Sequence, residues 1–76
     1  MVYAYVLIKA NTGQADRLRN DIDAIEGVVE AYIVAGDVDI IATVDVDSPA
    51  AVKNIAASAI QDIDGVEDTQ TYIAME

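Results

Sequence analysis

The chain repeats one pattern of residues after an interval of 38 positions. The segment Ile22-x-x-Ile25-Glu26-Gly27-Val28 corresponds to Ile60-x-x-Ile63-Asp64-Gly65-Val66. The same interval relates the alternating apolar residues Val2, Ala4, Val6 and Ile8 to Ile40, Ala42, Val44 and Val46. A chain of 76 residues has room for one domain. The repeat therefore predicts a single domain over residues 1–76 that contains two copies of one structural unit.

Each copy of this unit is typical of a strand, a helix and a second strand. Residues 2–9, 28–35, 39–46 and 66–74 are predicted strands. Apolar residues three and four apart predict two helices, with one face formed by Ala15, Leu18, Ile22 and Ile25 and the other by Val52, Ile55, Ala56, Ala59 and Ile63. Ser48-Pro49 is a strong helix start, and Gly27 and Gly65 are helix ends. The order βαββαβ predicts an α+β, ferredoxin-like fold whose first and third strands pair centrally and in parallel.

The two faces of the predicted sheet differ in a way that indicates a partner. The even positions of the first and third strands are small or aliphatic and suit the face under the helices. The odd positions carry Tyr3, Tyr5, Leu7 and Ile41, where a solvated strand would carry polar residues. A second copy, sheet against sheet, would cover this apolar face. The sequence therefore predicts a homodimer that forms a dimeric α/β barrel, the alternative being a strand that is hydrophobic by chance.

The charge of the chain limits its direct partners. It has 14 acidic and 4 basic residues, which give a net charge of −10. Nucleic acids and anionic membranes both require a basic surface, so we expect neither as a direct partner. No apolar run of about 20 residues and no export signal is present, which favours the cytoplasm. The acidic residues are spread along the chain, and its only lysines are Lys9 and Lys53. This composition favours a halophilic origin with high cytoplasmic salt, while an ordinary acidic protein is the alternative interpretation.

Reactive residue types are scarce. The chain has no Cys and no His, which excludes Cys/His zinc sites, thiol nucleophiles and histidine bases. Its hydroxyl groups therefore have no histidine to activate them. Aspartate pairs occur at Asp37/Asp39, Asp45/Asp47 and Asp62/Asp64, but none extends into a calcium-binding loop. We expect no catalytic residue, no metal site and no cofactor.

A short polar segment, Gly36-Asp37-Val38-Asp39, joins the second and third predicted strands. We expect a tight turn at Gly36-Asp37, because glycine tolerates positive φ. Exposed amides beside a carboxylate suit a zwitterion: the amides bind its carboxylate and the aspartate binds its ammonium group. On these residues alone, a plain hairpin turn is the simpler interpretation.

Taken together and in this order, the segments resemble the effector-binding domain of the Lrp/AsnC, or feast/famine, regulators. The resemblance covers nearly the whole chain and rests on Ala4-Tyr5-Val6-Leu7-Ile8-Lys9, Ile25-Glu26-Gly27-Val28, Ala35-Gly36-Asp37-Val38-Asp39, Ile63-Asp64-Gly65-Val66 and Thr69-Gln70-Thr71. It implies dimers formed through the sheets, larger rings of dimers, and small effectors, often amino acids, bound between dimers. The ligand-binding residues that it implies are Gly36, Asp37, Val38, Asp39, Thr69 and Thr71. Family members often have an aromatic residue at the position of Val38.

The family's usual amino-terminal helix-turn-helix domain has no counterpart in this sequence. The chain thus resembles a stand-alone sensor domain that acts through a partner, such as a full-length regulator. The predicted function is an amino-acid-sensing oligomer with a regulatory role in transcription or metabolism. Two alternatives stay open: an interaction module without a ligand, and a small dimeric-barrel enzyme. The related ACT domain has the same order of elements but pairs its sheets side by side.

Overall fold

The computed structural model describes residues 2–11 and 13–75, and this part of the chain folds into four strands and two helical regions. Met1 and Glu76, the ends of the predicted domain, lie outside the described residues. The elements are β1 (Val2–Ala10), α1 (Ala15–Asp23), β2 (Val28–Ile33), β3 (Ile40–Val46), α2 (Pro49–Asn54), a π-helical segment (Ile55–Ile60) and β4 (Val66–Ile73).

The strands form one sheet in the order β2-β3-β1-β4, and every neighbouring pair is antiparallel. The predicted α+β, ferredoxin-like fold is confirmed. The prediction that the first and third strands run in parallel is wrong, since β1 pairs with β3 from Val2 opposite Val46 to Ile8 opposite Ile40. The reason is that β1 and β2 of the first unit run in the same direction but are separated by the width of one strand. The loop after β2 reverses the chain, so β3 enters the gap between them in the opposite direction.

Both helical regions pack on one face of this sheet, and the core lies between them. The inner even positions of β1 and β3 are buried there, as the alternation predicts, together with Ala31 of β2. The even positions at the strand ends, Val2, Ala10 and Val46, are partly buried against this core. The helical residues that complete the core are Leu18, Ile22, Val52, Ile55, Ala56 and Ile60. The odd positions of β1 and β3 lie on the opposite face, which no element of the described chain covers.

The second helical region starts as predicted and then departs from the predicted period. Ser48 has an extended backbone, and its hydroxyl accepts a hydrogen bond of 3.2 Å from the Ala51 amide. From Ile55 the helix is π-helical, with bonds between residues five apart. Ile55 and Ile60, five positions apart, are therefore both buried. A period of 3.6 residues predicts that Ala59, rather than Ile60, lies on the buried face. In the structure Ala59 is only half-buried.

The repeat seen in the sequence persists in the hydrogen bonds that follow each helical region. Val28 donates to the Ile25 carbonyl at 3.1 Å, and Val66 donates to the Ile63 carbonyl at 3.2 Å. The glycine between each donor and its acceptor, Gly27 or Gly65, has a φ near 100°. Residues with a side chain rarely adopt this backbone conformation, so glycine is required at both corners.

Candidate ligand-binding cleft

The segment between β2 and β3 is a loop over residues 34–39, longer than the predicted tight turn at Gly36-Asp37. Its ends are closed by a hydrogen bond of 2.9 Å from the Val34 amide to the Asp39 carbonyl. Asp39 also ties the loop to β1: its amide donates to the Ile8 carbonyl at 3.0 Å, and its carboxylate accepts from the Ala10 amide at 2.9 Å. One oxygen of the Asp39 carboxylate is therefore engaged in holding the loop against the sheet.

Asp37 and Val38, at the middle of this loop, border a cleft at one end of the sheet. The cleft has a volume of about 240 Å³. Its other walls come from the ends of β1 and β4, with Leu7, Lys9, Asp68, Thr69 and Gln70. Asp37, Lys9 and Asp68 are all exposed, and Val38 is half-buried. The cleft therefore places one ammonium group and two carboxylates around a small space that is open to solvent.

Four residues of this cleft are absent from the predicted ligand-binding set: Lys9, Asp68, Gln70 and Leu7, of which Leu7 was predicted only as an interface residue. The β1–β4 register places Lys9 opposite Asp68 and Leu7 opposite Gln70. Residues opposite each other on antiparallel strands share one face of the sheet, so both pairs lie on the uncovered side. The signal that could have found them is this pairing. To recognise this pairing from the sequence, one must know that β4 lies beside β1 and runs antiparallel to it.

The predicted ligand-binding residues do not all meet at one place. Asp37, Val38 and Thr69 line the cleft, whereas Gly36 and Asp39 belong to the loop behind it. Thr71 pairs with the buried Val6, which places it on the helix side of the sheet. There it lines a separate groove between β4 and the second helical region, and Thr69 borders that groove as well.

The uncovered face of the sheet carries all four tyrosines of the chain. The rings of Tyr3 and Tyr5 meet edge to face, with their centroids 5.5 Å apart. Tyr72 lies opposite Tyr5 on β4, and Tyr32 lies opposite Ile41 on β2. Tyr5, Tyr32 and Tyr72 are each 42–55% exposed. The prediction from sequence included Tyr3, Tyr5, Leu7 and Ile41 but missed Tyr32 and Tyr72. We refer to these six residues as the tyrosine face.

The two arginines are engaged within the fold. Arg17 forms an ion pair of 3.1 Å with Asp21 and donates to the Asp64 carbonyl at 2.8 Å. Arg19 donates to the Ala31 carbonyl at 3.0 Å. In the described part of the chain, by contrast, neither lysine forms an ion pair within 4.0 Å. Lys9 and Lys53 are therefore the cations available to an anionic ligand.

Two further classes of site find no support in residues 2–11 and 13–75. No three Asp or Glu side chains of these residues are grouped so that they could hold a metal ion. No helix among them is both long and apolar enough to span a membrane.

The architecture is that of a ferredoxin-like α+β domain with one uncovered sheet face and a polar cleft at the end of that face. A model of the Lrp/AsnC ligand binding domain matches residues 3–76, and the chain therefore belongs to this family. No curated protein matches the chain. The family assignment thus agrees with the resemblance carried by the sequence motifs.

Solved structures place the whole chain within this fold. TTHA0845 from Thermus thermophilus superposes with a TM-score of 0.94 at 29% identity, over 100% of this chain and 95% of that one. An AsnC family transcriptional regulator from Agrobacterium tumefaciens has a TM-score of 0.84 at 28% identity, over 99% of this chain and 50% of its own. The transcriptional regulator NMB0573 from Neisseria meningitidis, in a complex with L-Met, has a TM-score of 0.84 over 99% of this chain and 50% of its own. At 13% identity, its likeness shows the fold alone.

Proposed function

We propose that this chain is a sensor domain that binds a free amino acid and thereby regulates transcription or metabolism. The observation that carries the proposal is the cleft, which gathers Lys9, Asp37 and Asp68 at one end of the sheet. Membership of a ligand-binding family supports the same function. So does the L-Met complex of a regulator that shares the fold.

The charges in the cleft are complementary to an α-amino acid. The ammonium group of the ligand would bind the Asp37 or Asp68 carboxylate, and its carboxylate would bind the Lys9 ammonium group. Hydrogen bonds between charged groups contribute roughly 1.5–3 kcal/mol each. Leu7 and Val38 supply the apolar part of the wall, while the Gln70 amide can donate to or accept from a polar side chain. Asp39 would act indirectly, by holding the loop that carries Asp37.

The assembly that we propose is a homodimer joined through the tyrosine face. A domain of this size buries a small core and commonly gains stability by oligomerisation. An exposed face with four tyrosines is typical of an interface, because aromatic side chains bury a large area at low entropic cost. The cleft lies at the end of this same face, so its ligand would sit at the rim of the interface. In a larger ring of dimers, Thr69 and Thr71 of a neighbouring copy would then lie beside the loop over residues 34–39.

The effect on regulation would pass through a partner. A net charge of −10 opposes direct contact with nucleic acid. A full-length regulator of the same family is the partner that we propose, because it would present the same kind of sheet face. We do not propose catalysis, since the family is a ligand-binding one.

Calorimetric titration with the twenty amino acids tests this function directly. We expect at least one to bind below millimolar concentration. Asp37→Asn and Lys9→Gln should each weaken that binding about tenfold or more, because each removes one charge-assisted hydrogen bond. Lys53→Gln is the matched control: it removes the other lysine, which lies outside the cleft, and should leave the affinity unchanged.

Two results would contradict the sensor function. One is the absence of any amino acid that binds below millimolar concentration. The other is an Asp37→Asn variant that binds as well as the parent. A dimer that persists without any ligand would then favour the interaction module.

A further inference from the structure

The free edge of β2 is an apolar border of the sheet. In the order β2-β3-β1-β4, only one side of β2 pairs with a neighbouring strand. Val29, Tyr32 and Ile33 are each 47–51% exposed along this strand. Its sequence, Val-Val-Glu-Ala-Tyr-Ile, contains no lysine and no proline, which are residues that commonly protect a sheet edge from further pairing. The edge of β2 is therefore suited to pair with another strand.

Ala31 marks where the backbone of β2 faces outward. Its carbonyl accepts a hydrogen bond of 3.0 Å from Nε of Arg19, a residue of α1. In an antiparallel strand, the amide and the carbonyl of one residue point to the same side, so both groups of Ala31 face away from β3. A carbonyl oxygen has two lone pairs, so Ala31 can also accept from the amide of an added strand. The register irregularity of β2 lies between Val28 and Glu30 and leaves the rest of the strand regular.

Helix α1 places two opposite charges above this edge. Arg19 and Asp23, one turn apart, line a shallow depression of about 530 Å³ together with Val29 and Ile33. Within residues 2–11 and 13–75, Asp23 forms no ion pair, although a spacing of four residues would allow one with Arg19. Arg19 donates from only two of its nitrogen atoms in this part of the chain. Both charged groups can therefore engage a partner that lies along β2.

From these features we propose that the β2 edge pairs with the β2 edge of a second copy of this chain, antiparallel and around a two-fold axis at Ala31. In this register Val29 lies opposite Ile33 of the second copy, so apolar side chains meet on the helix side of the sheet. Glu30 lies opposite Tyr32 of the second copy on the other side. Cross-strand pairs of this kind are the units that stabilise a sheet. The strand is thus complementary to itself.

The charges above the edge favour the same arrangement. The two-fold axis makes the two copies of α1 antiparallel, so Arg19 of each copy lies beside Asp23 of the other. A contact of this symmetry forms two ion pairs from one pair of residues. The other free edge of the sheet, β4, has the sequence Val-Glu-Asp-Thr-Gln-Thr-Tyr-Ile, with Glu67 and Asp68 and no basic residue. Two copies of β4 would therefore repel each other, whereas two copies of β2 attract.

This contact is separate from the sites described above. It lies in the plane of the sheet, so the tyrosine face stays available to the proposed homodimer. None of the residues that line its depression lines the amino-acid cleft. A strand of six residues forms a small interface, so we expect association in the micromolar range or weaker.

Charge reversal on α1 tests the contact. Sedimentation equilibrium over a range of protein concentrations, in moderate salt, measures the mean mass of the assembly. Arg19→Glu and Asp23→Arg each turn both ion pairs into pairs of like charge, so each should weaken edge association about tenfold or more. An equimolar mixture of the two variants should recover the association, because every pair in the mixed contact then joins opposite charges. Asp16→Arg is the matched control: it makes the same change on α1 outside the depression and should associate like the parent.

Hydrogen exchange of backbone amides tests the strand pairing itself. We expect the Ala31 amide to exchange more slowly as the protein concentration rises, and this protection should be lost in Asp23→Arg. Tyr5→Asp should retain the protection, which separates the edge contact from the tyrosine face. Circular dichroism establishes that each variant is folded.

Three results would overturn the edge contact. The first is a folded Asp23→Arg variant that associates like the parent. The second is a mixture of Arg19→Glu and Asp23→Arg that associates no better than either variant alone. The third is an Ala31 amide whose exchange does not depend on protein concentration, which includes a parent that stays monomeric throughout.

Discussion

Gly27 shows how one residue without a side chain supports the packing of two elements. Its φ is 99°, and a Cβ atom built on it would lie 2.6 Å from Ile55 Cδ1 and 3.0 Å from Val46 Cγ1. We predict that Gly27→Ala lowers the free energy of unfolding by about 1–3 kcal/mol, through backbone strain and crowding. Urea denaturation followed by circular dichroism measures this loss.

Two controls separate the causes of that loss. Gly13→Ala should cost less, because a Cβ atom there meets nothing within 4 Å. Replacing Ile55 by Val removes Cδ1, the closest contact, so Gly27→Ala should be less costly in an Ile55→Val background. Equal costs at Gly27 and Gly13 would contradict the role of Gly27.

At the scale of elements, the second helical region joins two geometries: an α-helical first turn, which Ser48 caps, and a π-helical segment. We predict that Ser48→Ala lowers stability by about 0.5–2 kcal/mol, since it removes the acceptor of the Ala51 amide. In a domain of this size, each kcal/mol lowers the melting temperature by roughly 4–8 °C.

Ser58→Ala is the matched control for the cap. Ser58 is exposed in the π-helical segment, and its side chain makes no hydrogen bond within the described chain. Its replacement should change stability by less than about 0.5 kcal/mol. If both serine variants melt at the same temperature, the contribution of the cap is refuted.

At the scale of the whole molecule, the proposed assembly depends on the tyrosine face. We predict that the parent is at least dimeric at micromolar concentration and that Tyr5→Asp weakens association more than about 100-fold. The reason is that a buried, uncompensated charge costs about 3–5 kcal/mol. Sedimentation equilibrium measures the change. Met75→Asp adds the same charge at a residue that is 90% exposed, and it should associate like the parent. A monomeric parent would rule out the sheet-to-sheet dimer.

The net charge of −10 would oppose the proposed dimer, because dimerisation would bring two such charges together. The Debye length falls from about 10 Å at 0.1 M salt to about 3 Å at 1 M. We therefore predict that the melting temperature rises steeply from low salt to molar KCl. A variant with Asp62→Asn, Asp64→Asn and Glu67→Gln should show a smaller rise. A flat curve for the parent would count against the halophilic origin, which stays a prediction, and would leave the fold unaffected.

The local patterns of the chain determined its elements and the two faces of its sheet. Alternation along β1 and β3 predicted the buried even positions, and Ser48-Pro49 predicted the start of α2. Gly27 and Gly65 predicted the two corners. Each of these depends on residues within a few positions of one another, where backbone geometry and burial repeat with a fixed period. The 38-residue repeat then set the order of the elements.

Only the tertiary structure decided the direction of β1 against β3, the π-helical turn that buries Ile60, and the position of Lys9 opposite Asp68 in the β1–β4 register. These features depend on hydrogen-bonded pairing and packing between segments that are far apart in the chain. Their free energy is gained only when the whole sheet closes, so no local period carries it. For this reason the sequence predicted Asp37 in the loop but missed the lysine across the cleft.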